Sequence, residues 1–129
     1  MTYPLSTAAL DSIAASLPPD APIHMLNLLR FHPDGGRERW FTGYIGAFRA
    51  ISADMGIEGI GPVWNGAGRG TVAGPEGEAW DAIVLVHYPS IGAFRAIVES
   101  ERYRTEAAPH REASVVDWRL IAQVEVPRP

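Results

Sequence analysis

The chain of 129 residues contains neither cysteine nor lysine. Without cysteine there are no disulfides, no thiolate catalysis and no cysteine-based metal site. Without lysine, every basic residue is arginine, and the 11 arginines are scattered rather than drawn into a stripe that could track phosphates, so nucleic acid is not an expected partner. No apolar run approaches the roughly 20 residues of a membrane span, so no membrane contact is expected. Met1-Thr2-Tyr3-Pro4 shows no basic segment leading into an apolar one, which predicts no signal peptide and a cytoplasmic protein. Motifs with a fixed chemistry are missing too. There is no His-x-His or His-Glu-x-x-His spacing for a metal and no Gly-x-Ser-x-Gly elbow. Gly66-x-Gly68-x-Gly70 lacks the helix that a phosphate loop requires and reads as interrupted strand. Neither a metal nor a cofactor is expected.

What is present begins with Asn27. It sits inside one of the most apolar runs of the chain, Ile23-His24-Met25-Leu26-Asn27-Leu28-Leu29-Arg30-Phe31. A carboxamide offers two donors and two acceptor lone pairs, and burying it unpaired costs roughly 1–3 kcal/mol. Such a residue either ties a neighbouring backbone or serves a ligand.

Length and a 47% hydrophobic content predict one domain, residues 1–129, with a real core. A helix over about 7–17, capped by Ser6 or Thr7, carries Leu10, Ile13, Ala14 and Leu17 on one face and stops at Pro18-Pro19. The run over 22–31 is a strand too uniformly apolar to have a solvent face. A helix over 37–55 follows, with Phe41, Tyr44, Phe48, Ile51 and Met55 inward, Gly56 as its C-cap, and Gly43 and Gly46 open to close approach by another backbone. A glycine-interrupted strand is expected over 62–73, a turn at Gly74–Gly77, and a strand over 80–88. Ser90 caps a helix over 91–99, and a further helical piece over 101–108 is interrupted or ended by Pro109. An alternating strand over 116–126 closes the chain. Residues 1–21 form an N-terminal helix and linker, and 22–126 read β-α-β-β-α-β, the α+β ferredoxin-like order. The first and third strands are expected parallel at the sheet centre. Helices cover one face. The other would be an apolar patch unless a second copy covers it, which predicts a homodimer.

Met25-Leu26-Asn27-Leu28-Leu29-Arg30-Phe31, Trp80-Asp81, Tyr88-Pro89-Ser90, Phe94, Tyr103 and His110-Arg111 stand in an order that resembles the domain-of-unknown-function family 1330 of the dimeric α/β-barrel superfamily. The likeness runs from about Pro22 to Ala122, and Glu101-Arg102-Tyr103 departs from the family's more frequent Pro-Glu-Tyr. The resemblance implies a ferredoxin-like subunit that dimerises through its sheet and holds a small cavity between sheet and helices. It transfers no reaction, because the superfamily spans cofactor-free monooxygenases, isomerases, cyclases, haem-handling enzymes and non-enzymatic sensors.

Candidate site residues follow. Asn27 is a donor for a carbonyl or enolate oxygen, or else a structural amide. Arg111 is suited to a substrate carboxylate, or pairs with Glu106 or Glu112 or with helix carbonyls. Tyr103, eight residues before it, shares a helical face and supplies a phenol. His110 is the candidate acid/base, with Tyr103 as a second proton carrier, whereas His24 and Arg30 fall on the face opposite Asn27, and His24 and His87 suit structural or interface roles. Trp80, Tyr44 and Phe48 are expected substrate contacts, with Trp40, Trp64 and Trp118 as further walls. The functional expectation is a cofactor-independent enzyme of acid/base or monooxygenase type acting on a small carbonyl or carboxylate compound. The alternatives are a non-catalytic small-molecule-binding or stress-related module, and a ligand-free structural dimer.

Overall fold

Alternation along the strands builds the sheet. In the computed structural model, which describes residues 2–129, Ile23, Met25, Asn27, Leu29 and Phe31 of β1 (Ile23–Phe31) are buried, while His24, Leu26 and Leu28 are half-buried and Arg30 is exposed. β1 pairs with β3 (Ala82–Tyr88) on one side and β4 (Val115–Gln123) on the other, and β2 (Gly61–Ala67) lies beyond β3. The order β2-β3-β1-β4 puts the two least polar strands at the centre, as expected. All three pairings are antiparallel, which corrects the expected parallel centre. Each helical crossover joins strands that run the same way with one other strand between them, and that intervening strand runs in the opposite direction.

The helices are α1 (Thr7–Ser16), α2 (residues 36–54), α3 (Ile91–Val98) and α4 (residues 101–114). Ser6 caps α1 by accepting from Ala9 N–H, and Ser90 caps α3 by accepting from Ala93 N–H. Gly56, at φ +69°, takes the left-handed position after α2. Buried residues of α1, α2, α3 and α4 join the Asn27-bearing face of the sheet in one hydrophobic core.

Several boundaries and faces differ from expectation. In α2, Arg39–Tyr44 is π-helical, with Ile45 N–H bonded five residues back to Trp40 C=O. The wider turn rotates the helix, so Trp40, Tyr44, Phe48, Ile51 and Ser52 are buried, while Phe41 and Met55 are 43% and 40% exposed. α4 opens with a second π-helical stretch, Tyr103–Ala107, in which Ala108 N–H reaches Tyr103 C=O. Pro109 therefore neither ends nor breaks the helix, because the widened turn already omits the bond and the carbonyl contact that proline would disrupt. β2 ends at Ala67, leaving Thr71 and Val72 outside it, and its register shift lies between Pro62 and Trp64 rather than at the glycines. Gly68 instead marks a close approach: its N–H donates to Asp81 C=O at 3.0 Å, and a Cβ there would overlap the Trp80 carbonyl. β3 starts at Ala82 rather than at Trp80, and β4 ends at Gln123. Gly43 makes room for the His110 ring, not for a backbone, and nothing approaches Gly46.

The opposite sheet face carries Leu26, Leu28, Ile83 and Leu85 half-buried, Trp64 at 66% exposure and Ile121 at 49%. No helix covers it. The expectation that β1 is buried on both faces thus holds only for its inner face in one chain.

Candidate functional site

A cavity of about 370 Å³ lies between α2 and the sheet. Its floor is one row of cross-strand partners, Leu120, Asn27, Val84 and Asn65, drawn from β4, β1, β3 and β2. α2 supplies the opposite wall through two adjacent i, i+4 rows, Trp40-Tyr44-Phe48 and Phe41-Ile45-Arg49. Tyr88, Phe94 and Trp118 add further aromatic rings. The mouth lies towards β2, where Pro62 and Asn65 face Arg49, all three exposed.

The polar groups are few. Asn27 Nδ2 donates to the carbonyls of Met25 at 3.2 Å and Val84 at 3.3 Å. Both donor hydrogens are thus committed to the sheet, and this fixes which way the amide points. Among the described residues, every fully enclosed side-chain nitrogen or oxygen has a partner. Asn27 Oδ1 and the Tyr88 hydroxyl have none, so they reach the open space of the cavity that both residues line. Asn27 therefore presents an acceptor, where the sequence suggested a donor.

Tyr44 is tied into a buried chain. Arg111 Nη1 donates to Tyr103 Oη at 2.7 Å, and the Tyr103 and Tyr44 hydroxyls are 2.8 Å apart. Tyr103 Oη keeps a second lone pair beside the one that accepts from the guanidinium, so either hydroxyl can donate in the Tyr44–Tyr103 contact. The Tyr44 hydroxyl thus points towards Tyr103, behind the cavity wall that the Tyr44 side chain helps to form. Burial, and next the neighbouring Tyr103, raise the Tyr44 pKa well above its ordinary value. Burial likewise raises Tyr88. Both remain neutral hydrogen-bonding groups at physiological pH. The two π-helical stretches meet at this Tyr44–Tyr103 contact, and such distortions recur at functional sites.

Of the residues singled out in the sequence, Asn27, Tyr44 and Phe48 line the cavity. Tyr103 and Arg111 lie behind it, buried, with the guanidinium 4.8 Å over the ring of Trp118, a wall residue. Glu112 comes no nearer than 3.8 Å to Arg111. His110 is not brought to the cavity: it packs on Gly43 at the α2–α4 contact, and its Nδ1 accepts from Arg39 Nε at 3.2 Å. Trp80 lies outside as well, before β3, with Arg119 5.3 Å over its ring. Trp64 is on the opposite sheet face. There His24 and His87 pack edge to face, 5.2 Å between centroids. Among the described residues no cluster of three or more histidine, aspartate or glutamate side chains could hold a metal. No helix among them is long and apolar enough to cross a membrane.

Arg49 is the residue that sequence reasoning missed. It is the one charged group among the lining residues. A signal was available: the heptapeptide Ile-Gly-Ala-Phe-Arg-Ala-Ile occurs twice, at 45–51 in α2 and at 91–97 in α3. Its phenylalanines, Phe48 and Phe94, both line the cavity. Its arginines differ. Arg95 has Glu99 at i+4 and binds it at 2.7 Å, and Asp11 at 2.9 Å. Arg49 has Ala53 at i+4 and no carboxylate partner among the described residues.

No family model matches the chain, and no curated protein does. Among solved structures, RPA0582 of Rhodopseudomonas palustris, a protein of unknown function, aligns over 97% of this chain and 97% of its own, with 30% identity and a TM-score of 0.78. The methylated RPA0582 protein aligns over 96% and 94%, with 32% identity and a TM-score of 0.77. A candidate antibiotic biosynthesis monooxygenase from Caulobacter crescentus aligns over 89% and 99%, with 13% identity and a TM-score of 0.56. A dimeric protein of unknown function and ferredoxin-like fold from Bacteroides fragilis aligns over 81% and 96%, with 11% identity and a TM-score of 0.52. The last two share the fold alone.

Proposed function

This chain belongs to the family of the Rhodopseudomonas palustris protein RPA0582, and from that footing we propose that it binds a small, flat, largely apolar molecule in the cavity between α2 and the sheet, as one subunit of a homodimer. The ordered motif from Met25 to Arg111 supports assigning the chain to family 1330 of the dimeric α/β-barrel proteins. One observation carries the binding role: an aromatic-walled cavity holding polar groups that no protein atom satisfies. Its volume lies at the low end of the roughly 300–1,000 Å³ of small-molecule pockets. Asn27, Tyr44, Tyr88 and Phe48 would touch the ligand, with Tyr103 and Arg111 acting through Tyr44. The apolar outer face of Leu26, Leu28, Leu85 and Ile121 supports the homodimer.

A second reading is cofactor-independent catalysis. It is favoured by the buried Arg111–Tyr103–Tyr44 chain, which sets a guanidinium and two phenols directly behind the cavity wall. Proton abstraction by the protein itself has less support, because no histidine or carboxylate lines the cavity and the raised tyrosines stay protonated.

Calorimetric titration with neutral phenols such as p-cresol and 4-hydroxyacetophenone tests the binding role. Saturable binding at one site per chain is expected, weakened by Asn27→Leu. Tyr88→Phe removes a hydroxyl with no protein partner, so it weakens binding while leaving the fold intact. Absence of saturable binding, or binding indifferent to both substitutions, would refute the proposal.

A further inference from the structure

We propose that the cavity selects a hydroxylated aromatic anion, its carboxylate or similar acidic group paired with Arg49 at the mouth and its hydroxyl held at the inner end by Asn27 and Tyr88. This rests on the cavity being the binding site.

The anionic end follows from charge. The protein is acidic, at net charge -4, yet no carboxylate lines this cavity and a single guanidinium does. Among the described residues that guanidinium has no carboxylate partner, while the arginine of the identical heptapeptide in α3 is held by two carboxylates. The same local sequence on the same kind of helix thus yields a closed ion pair on one side of the molecule and an open cation over the cavity on the other. Ser52, also a lining residue, donates to the Arg49 carbonyl at 3.0 Å within the same turn of α2. The planar fork of arginine matches a carboxylate in two parallel hydrogen bonds.

The hydroxyl end follows from complementarity. Asn27 offers only an acceptor, because both its donors are spent on backbone carbonyls. Tyr88 offers a donor, because its hydroxyl lines the cavity with no partner among the described residues. A hydroxyl gives a proton to the first and accepts one from the second, whereas a bare carbonyl leaves Asn27 unsatisfied. Between the two ends stand Trp40, Phe48 and Trp118, rings suited to an aromatic body.

The test is calorimetry with 4-hydroxyphenylacetate, its neutral methyl ester and phenylacetate, at low and high salt. The acid is expected to bind about fivefold to tenfold tighter than the ester, with the difference shrinking in salt. Arg49→Gln should bring acid and ester level, whereas Arg95→Gln should leave the preference unchanged. The hydroxylated acid should bind about tenfold tighter than phenylacetate, and Asn27→Leu should remove that margin. If acid and ester bind alike to the unaltered protein, or the acid keeps its advantage in Arg49→Gln, the anion assignment falls while the cavity remains a binding site. If none of the three probes nor the neutral phenols bind, both readings fall.

Discussion

Removing the Tyr103 hydroxyl isolates the buried relay from its surroundings. Tyr103→Phe keeps the ring, and with it the edge contacts to Tyr44 and Phe48 at 6.1 and 6.2 Å between centroids. It deletes one oxygen. That oxygen accepts from Arg111, whose side chain is 10% exposed and whose nearest carboxylate, on Glu112, stands 3.8 Å away. The substitution therefore strands a buried guanidinium N–H. Hydrogen bonds to charged groups contribute about 1.5–3 kcal/mol, whereas a neutral one contributes about 1 kcal/mol. Tyr44→Phe breaks only the neutral hydroxyl pair, so Tyr103→Phe should destabilise by about 2–3 kcal/mol against about 1 kcal/mol for Tyr44→Phe. For a chain of this length the larger loss lowers Tm by about 6–12 °C. Urea unfolding at fixed protein concentration measures both, with an unchanged m-value expected because the packing is kept. A Tyr103→Phe loss below about 0.5 kcal/mol, or smaller than that of Tyr44→Phe, would refute the relay as drawn.

Three further outcomes are expected. Gly68→Ala drives a methyl into the Trp80 carbonyl, backbone against backbone, so it should destabilise by about 2 kcal/mol or more in urea unfolding and broaden the amide signals of the β2–β3 connection in NMR spectra; a neutral effect would mean the approach is not close. Tyr44 and Tyr88 have folded pKa values raised above the ordinary value near 10, so their protonated forms favour the native state. Stability from them is complete below that pH and is lost as pH rises through it, because the unfolded chain releases protons that the native one keeps. Denaturation followed from pH 8 to 11 should show that decline, and it should be shallower in a Tyr44→Phe/Tyr88→Phe variant. Light scattering should give twice the 14.0 kDa chain mass, and Leu26→Asp on the uncovered sheet face should reduce it to one; a clean monomer of the unaltered chain would overturn the homodimer.

The physics of short range was legible in the sequence. Ser6 and Ser90 as caps, Gly56 as a helix end, the order of strands and helices, and Asn27 on a central strand all follow from local periodicity and side-chain chemistry. The π-helical turns were not. Nothing local asks for them, yet they bury Trp40, leave Phe41 half-exposed at the cavity and carry α4 through Pro109. His110 and Trp80 looked apt for a site by type and neighbourhood, but chain neighbourhood is not spatial neighbourhood. Arg111 and Tyr103 are one helical face apart from the cavity, and only their packing reveals that they reach it through Tyr44.

By itself the sequence determined which segments fold into strands and helices, that Asn27 stands on a central strand, and that His24 and Arg30 lie on the opposite face from it, because these depend on residues within a turn or two of one another. Only the tertiary structure decided the antiparallel pairing, the direction of the Asn27 amide and the difference between Arg49 and Arg95. Those depend on what the fold brings alongside: the Val84 carbonyl for the amide, Asp11 from another helix for Arg95, and for Arg49 an open cavity.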